Sequence, residues 1–160
     1  MSTKQGDVGL LQDPVAQHLL QSKGPAHLAY NWRDGTPRVV PIGFHWNGEE
    51  LVMATATDAP KTKVLTDGSK VAVSIDSDFA ASKILLIRGT VRADTVEGIA
   101  PEYTAMIYRT MSEEDAQALL KEAARLYPRM TRIFIHPDWV GIIDFETRLP
   151  SAVERAIERG

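Results

Sequence analysis

A chain of 160 residues and 17.7 kDa is long enough for one domain with a real core, and 44% apolar with 24% charged residues is ordinary for a globular protein. A formal charge of -3 and a pI near 5.8 argue against a nucleic-acid binder, and the lack of cysteine excludes disulfides and thiolate metal sites. No apolar run reaches the length of a membrane span, and the polar stretch 1–7 leaves no signal-peptide core, so a cytoplasmic domain is expected.

Residues 1–12 read as a flexible tail and 13–160 as a single domain without linker or repeat. Asp13-Pro14 is a helix start, with Asp as N-cap and Pro at the first helical position. Val15, Leu19 and Leu20 then share a face until Lys23-Gly24-Pro25 stops the helix. Residues 27–32 alternate as a strand and lead to Asp34-Gly35; residues 38–46 follow and lead to Asn47-Gly48; residues 51–56 are a third strand. Both dipeptides suit tight hairpin turns, so an antiparallel meander is expected. Residues 61–67 have room for about two helical turns before Gly68. Residues 70–76 form a fourth strand with Val71, Val73 and Ile75 on one face, and 84–96 a fifth, bent at Gly89.

The pattern then turns helical. Residues 97–111 and 112–127 read as two helices, the second opened by Ser112 and an acidic first turn, with Ala116, Leu119, Leu120, Ala123 and Ala124 inside. Residues 131–136 and 139–145 are two more strands separated by Pro137-Asp138, and a polar helix closes the chain. The class is α+β, most simply a partly closed antiparallel barrel of about six or seven strands with peripheral helices.

Between the third and fourth strands runs Met53-Ala54-Thr55-Ala56-Thr57-Asp58-Ala59-Pro60-Lys61-Thr62-Lys63. Thr55 and Thr57 share a side of a continuing strand, and a loop opening a short helix can bring Lys61 back toward them. Hydroxyls, ammonium groups and a helix start together suit a phosphomonoester. Two strand threonines beside a solvated pair of lysines is the other reading of the same residues.

The ordered set Pro37-Arg38-Val39-Val40-Pro41-Ile42-Gly43-Phe44, Asn47-Gly48, Leu51-Val52-Met53-Ala54-Thr55, Pro60-Lys61-Thr62-Lys63-Val64-Leu65 and Val71-Ala72-Val73-Ser74-Ile75 resembles the pyridoxamine 5'-phosphate oxidase-like superfamily of FMN- or deazaflavin-binding split β-barrels. Ile87-Arg88-Gly89-Thr90-Val91 extends the likeness, which spans about residues 14–145. The resemblance implies that Arg38, Val39, Val40, Pro41 and Ile42 lie along the flavin ring, with Arg38 reaching the phosphate. It also implies that Met53, Ala54 and Thr55 meet the cofactor's tail, that Lys61 grips the phosphate, and that Lys63 is a second basic position. A homodimer with the cofactor at the subunit interface follows from it, with Trp139 a looser candidate for that interface.

Two departures shape the expectation. Thr147-Arg148-Leu149-Pro150 runs into a helix where the vitamin B6 oxidase has its substrate-binding Arg and His, so oxidation of pyridoxamine phosphate is not expected. The two helices between residues 97 and 127 suit a relative with its own substrate pocket. The function implied is an oxidoreductase using FMN, or a deazaflavin coenzyme, on a small organic substrate. The alternative is a non-catalytic flavin, deazaflavin or haem binder on the same barrel. A flavin performs the hydride or electron transfer itself, so no catalytic side chain is named. His18, His27, His45 and His136 lack ligand spacing, and no metal site is expected.

Overall fold

A computed structural model describes residues 3–77, 82–146 and 148–160. The local signals form as their chemistry dictates. Asp13 caps α1 (Pro14–Leu20) by accepting the Val15 N–H at 2.9 Å, and Leu19 and Leu20 are fully buried. Between β1 (Ala26–Asn31) and β2 (Pro37–Ile42) Gly35 takes a φ of 81°. Between β3 (His45–Trp46) and β4 (Leu51–Ala56) Gly48 takes 98°, while Asn47 Oδ1 accepts the N–H groups of Glu49 and Glu50. Both turns fall where the dipeptides placed them.

With β5 (Lys70–Asp76), β6 (Lys83–Glu97) and β7 (Arg129–Asp144), the strands form one antiparallel sheet ordered β2-β1-β5-β6-β7-β4-β3. β2 and β3 are its two edges, yet only Gly43 and Phe44 separate them in sequence. The sheet must therefore curl until its edges meet, which makes a barrel split between β2 and β3. Rows of directly opposed residues fill the interior: Leu28, Val73, Ile87 and Val140 across one side, and Val91, Ile135 and Leu51 across the other.

The meander needs correction. The strand expected over 38–46 is cut at Gly43: its first half pairs only with β1 and its last two residues only with β4. A Cβ at Gly43 would lie 2.8 Å from Met106 Sδ and Cε, so the cut falls where α2 (Pro101–Thr110) closes on the backbone. The two strands expected after residue 130 are instead the single strand β7. Its pairing slips at a bulge: Arg88 faces Trp139 and Gly89 faces Pro137, leaving Asp138 as the extra residue. Pro137 is tolerated there because the ladder already lapses. Asp138 reaches back to accept from Thr90 Oγ1, which itself accepts from Lys70 Nζ, both at 2.6 Å.

From Gln5 onward the flexible tail is not free. The Gln5 amide bonds both backbone groups of Ile142, and Gly6 N–H donates to Val140 O at 2.8 Å. Residues Val8–Gln12 make a 3-10 helix that buries Leu10 and Leu11. Among the helices, α2 starts at Pro101 because β6 runs on to Glu97. In α3 (Glu113–Leu126), Ser112 accepts the Asp115 N–H, but only Ala116 and Ala123 are buried; Leu119 and Ala124, expected inside, face solvent. α4 (Ser151–Arg159) buries no residue, and Thr147 lies outside the described residues. No helix among the described residues is long and apolar enough to cross a membrane.

Candidate functional site

Alternation along β4 turns Leu51, Met53 and Thr55 to the barrel side, where Met53 is fully buried and Thr55 faces Thr131 of β7. Ala54 lies on the outer side, opposite Arg132. β4 ends at Ala56, so Thr57 belongs to the turn, and its Oγ1 is buried without a hydrogen-bond partner.

The helix expected over 61–67 is reduced to one 3-10 turn, Pro60–Lys63. Its next turn cannot form because Leu65 is drawn into the core at 1% exposure. The Ser69 hydroxyl also takes Val64 O at 2.8 Å and the Thr66 N–H at 3.1 Å. Thr62 Oγ1 is held against the carbonyls of Thr57 and Ala59 at 2.9 and 2.7 Å. Lys61 follows from this anchoring: it is half-buried, and no described residue pairs with its ammonium. Burial lowers its pKa below the ordinary 10.5, since the charged form loses water and gains no counter-ion. Lys63 is exposed.

Val40 and Ile42 of β2 pack toward the core, so Val39 and Pro41 face outward, and Val39 is 66% exposed. Because β2 pairs only with β1, its other edge leaves backbone groups open to a ligand. Arg38 is exposed, lies opposite Tyr30, and stands 5.5 Å from the Trp32 ring. The β3–β4 register carried backward would set Arg38 opposite Ala59, beside Lys61. The split at Gly43 ends that ladder, and no hydrogen bond or ion pair joins Arg38 to Thr55 or Lys61. The structure thus puts Met53 and Thr55 on the barrel side of β4, Ala54 on its outer side and Lys61 and Lys63 on the turn after it, and sets residues 38–42 apart on the edge strand β2.

Sequence reasoning missed two features that brace these edges. Arg109 of α2 donates to Phe44 O at 2.6 Å and Ser22 O at 3.3 Å, with its guanidinium 4.9 Å from the Phe44 ring centroid. Arg132 forms a bidentate pair with Asp94 at 2.8 and 2.7 Å and a further bond to Glu102 of α2 at 3.1 Å. The Arg132 hydrogen bonds hold the Asp94 carboxyl below its usual pKa. Both contacts join residues 30 or more positions apart, and no local pattern marks them. Among the described residues, no three His, Cys, Asp or Glu gather in a metal-ligating cluster.

No family profile and no curated protein matches the sequence. Solved structures do match. An F420 reductase is 25% identical, with a TM-score of 0.53, over 78% of this chain and 94% of that one. A haem storage protein, HutZ from Vibrio cholerae, is 18% identical, with a TM-score of 0.57, over 82% and 93%. A putative pyridoxamine 5'-phosphate oxidase from Listeria innocua is 18% identical, with a TM-score of 0.53, over 79% and 94%. The chain therefore has the α+β split β-barrel fold of the pyridoxamine 5'-phosphate oxidase-like superfamily. Within that fold, the solved relatives include proteins named for flavin-type and haem ligands.

Proposed function

We propose that this chain is a flavin-dependent oxidoreductase that uses FMN, or a deazaflavin coenzyme, on a small organic substrate and works as a homodimer. Lys61 carries the reading. A half-buried ammonium without a counter-ion among the described residues, on the turn that follows the strand carrying Thr55, fits a phosphate group. The F420 reductase likeness supports a redox role over simple storage. A bound flavin or deazaflavin supplies the hydride or electron transfer. Lys61 and Thr55 hold its phosphate, with Lys63 as an outer charge; the open edge of β2 over Val39–Ile42 offers backbone groups to the ring, and Arg38 extends the positive charge along that edge.

Flavin titration of the purified protein tests this reading. Lys61→Ala is expected to weaken FMN binding by about tenfold or more, the loss of a charge-assisted bond, with an unchanged circular dichroism spectrum. Equal affinity in both proteins removes Lys61 from the site. Photoreduction followed by reoxidation with an added acceptor establishes turnover. A Soret band in place of flavin absorbance favours the haem-binder reading.

A further inference from the structure

The second half of β7 has one side that no strand covers. Residues 130–135 pair with β4, but Val140, Ile142 and Asp144 have only β6 as a strand neighbour. Their outward backbone groups are taken by pieces that are not strands. Gly6 N–H donates to Val140 O at 2.8 Å. The Gln5 amide accepts the Ile142 N–H at 2.9 Å and donates to Ile142 O at 2.5 Å. Asp144 exchanges two backbone bonds with Arg148, at 2.9 and 2.6 Å. A carboxamide both donates and accepts, as a peptide group does, so Gln5 stands in for the missing strand. Arg148 also ties this segment down, donating to Thr3 O at 2.7 Å and lying 3.5 Å from Asp13 Oδ2.

Beneath this cap lies a strand edge suited to pairing again. Residues 139–143 read Trp-Val-Gly-Ile-Ile, β-branched or aromatic apart from the glycine, with no charge and no proline. Such a stretch on an open edge recruits a further strand. The cap is slight. Gly6, at a φ of 98°, lies so close to Trp139 that a Cβ there would meet Nε1 at 2.8 Å. Leu10 and Leu11 are buried in the core and anchor the chain beyond it, so residues 3–6 are free to lift while the barrel stays folded. We propose that residues 3–6 are a guard strap, and that the edge at Val140–Ile142 is a pairing surface for the same edge of a second copy. Antiparallel pairing about a two-fold axis at Gly141 sets Val140 of each copy opposite Ile142 of the other. Outward backbone groups then meet outward backbone groups, and the contact is self-complementary. The inference rests on neither the phosphate site at Lys61 nor the contact through β2.

The full chain carrying Gln5→Ala and Gly6→Ala together provides the test. Both substitutions spare Leu10, Leu11 and every strand. Sedimentation velocity over a concentration series should reveal a species at least twice the parent's mass, with the circular dichroism of the folded parent. Amide exchange at Ile142 should run about tenfold or more faster than in the parent when the variant is dilute, and slow again when it is concentrated. Arg148→Met, which releases Thr3 and Asp13 but keeps Gln5, is the second variant and should show the same growth at higher concentration. Masses equal to the parent's for both variants at every concentration overturn the proposal. So does growth in which Ile142 still exchanges fast, since the contact then lies elsewhere. If the double variant fails to fold, Arg148→Met decides by the same two readouts. A parent that binds no FMN, or that is a monomer, strikes the proposed function and leaves this comparison of variant with parent intact.

Discussion

Gly89 and Gly43 are both crowded, but by different neighbours. A Cβ at Gly89 would meet the His136 backbone oxygen and Ile135 Cγ2, each at 2.6 Å, and the backbone of a bulged ladder cannot withdraw. At Gly43 the obstacle is the end of the Met106 side chain, which can change rotamer. Gly89→Ala is therefore expected to cost about 2–3 kcal/mol in urea denaturation and Gly43→Ala about 1 kcal/mol or less. His45 gives a pH prediction at the same scale. Burial is the main cause holding its pKa below the ordinary 6.5, the Arg109 charge adds to this, and Glu102 opposes it. The unfolded chain thus takes up this proton at a higher pH than the folded one, so stability falls as pH drops from 6.5 toward the folded value. Urea midpoints at about pH 7.5 and 5.5 should differ less in His45→Gln than in the parent.

Elements hold this barrel by contacts that cross its seam. α2 is the chief example: Glu102 in its first turn meets Arg132, while Arg109 in its last turn holds Phe44 and Ser22. The helix therefore fixes the two-residue link between β2 and β3, and with it the open edge of β2. Arg109→Met keeps much of the apolar stem but loses the donors. It should cost about 1.5–3 kcal/mol, since charge-assisted bonds to buried carbonyls are lost. Amide exchange should accelerate most over residues 42–46; uniform acceleration would mean that α2 stabilises the barrel as a whole. The N-terminal segment is a second such element, bonded through Gln5 and Gly6 to β7 and packed through Leu10 and Leu11.

For the molecule as a whole, the edge-to-edge split determines what one copy can do. Arg38 and Lys61 sit on different edges, and the outer face of β2 presents Pro37, Val39 and Pro41 to solvent. A second copy seated on that face is the assembly we propose. Analytical ultracentrifugation should show the parent as a dimer and Val39→Lys shifted toward monomer, because a charge placed in an apolar contact must be desolvated. A parent that sediments as a monomer at every concentration would sink the homodimer.

The sequence by itself determined whatever depends on a few neighbouring residues. Asp13-Pro14 starts α1, Asp34-Gly35 and Asn47-Gly48 turn the chain, Ser112 caps α3, and alternation in 70–76 assigns that strand. The ordered strand motifs also pointed to the split barrel. Long-range packing decided the rest. Pro137 reads locally as a break, yet a bulge opposite Gly89 absorbs it and β7 stays whole. Residues 61–67 can turn helically, but burial of Leu65 stops them after Lys63. Residues 3–12 look polar and loose, but the hydrogen bonds that dock them lie about 135 positions away. Thr55, Thr131 and Thr95 share a row for the same reason: register across three strands, invisible in any window of sequence, aligns them.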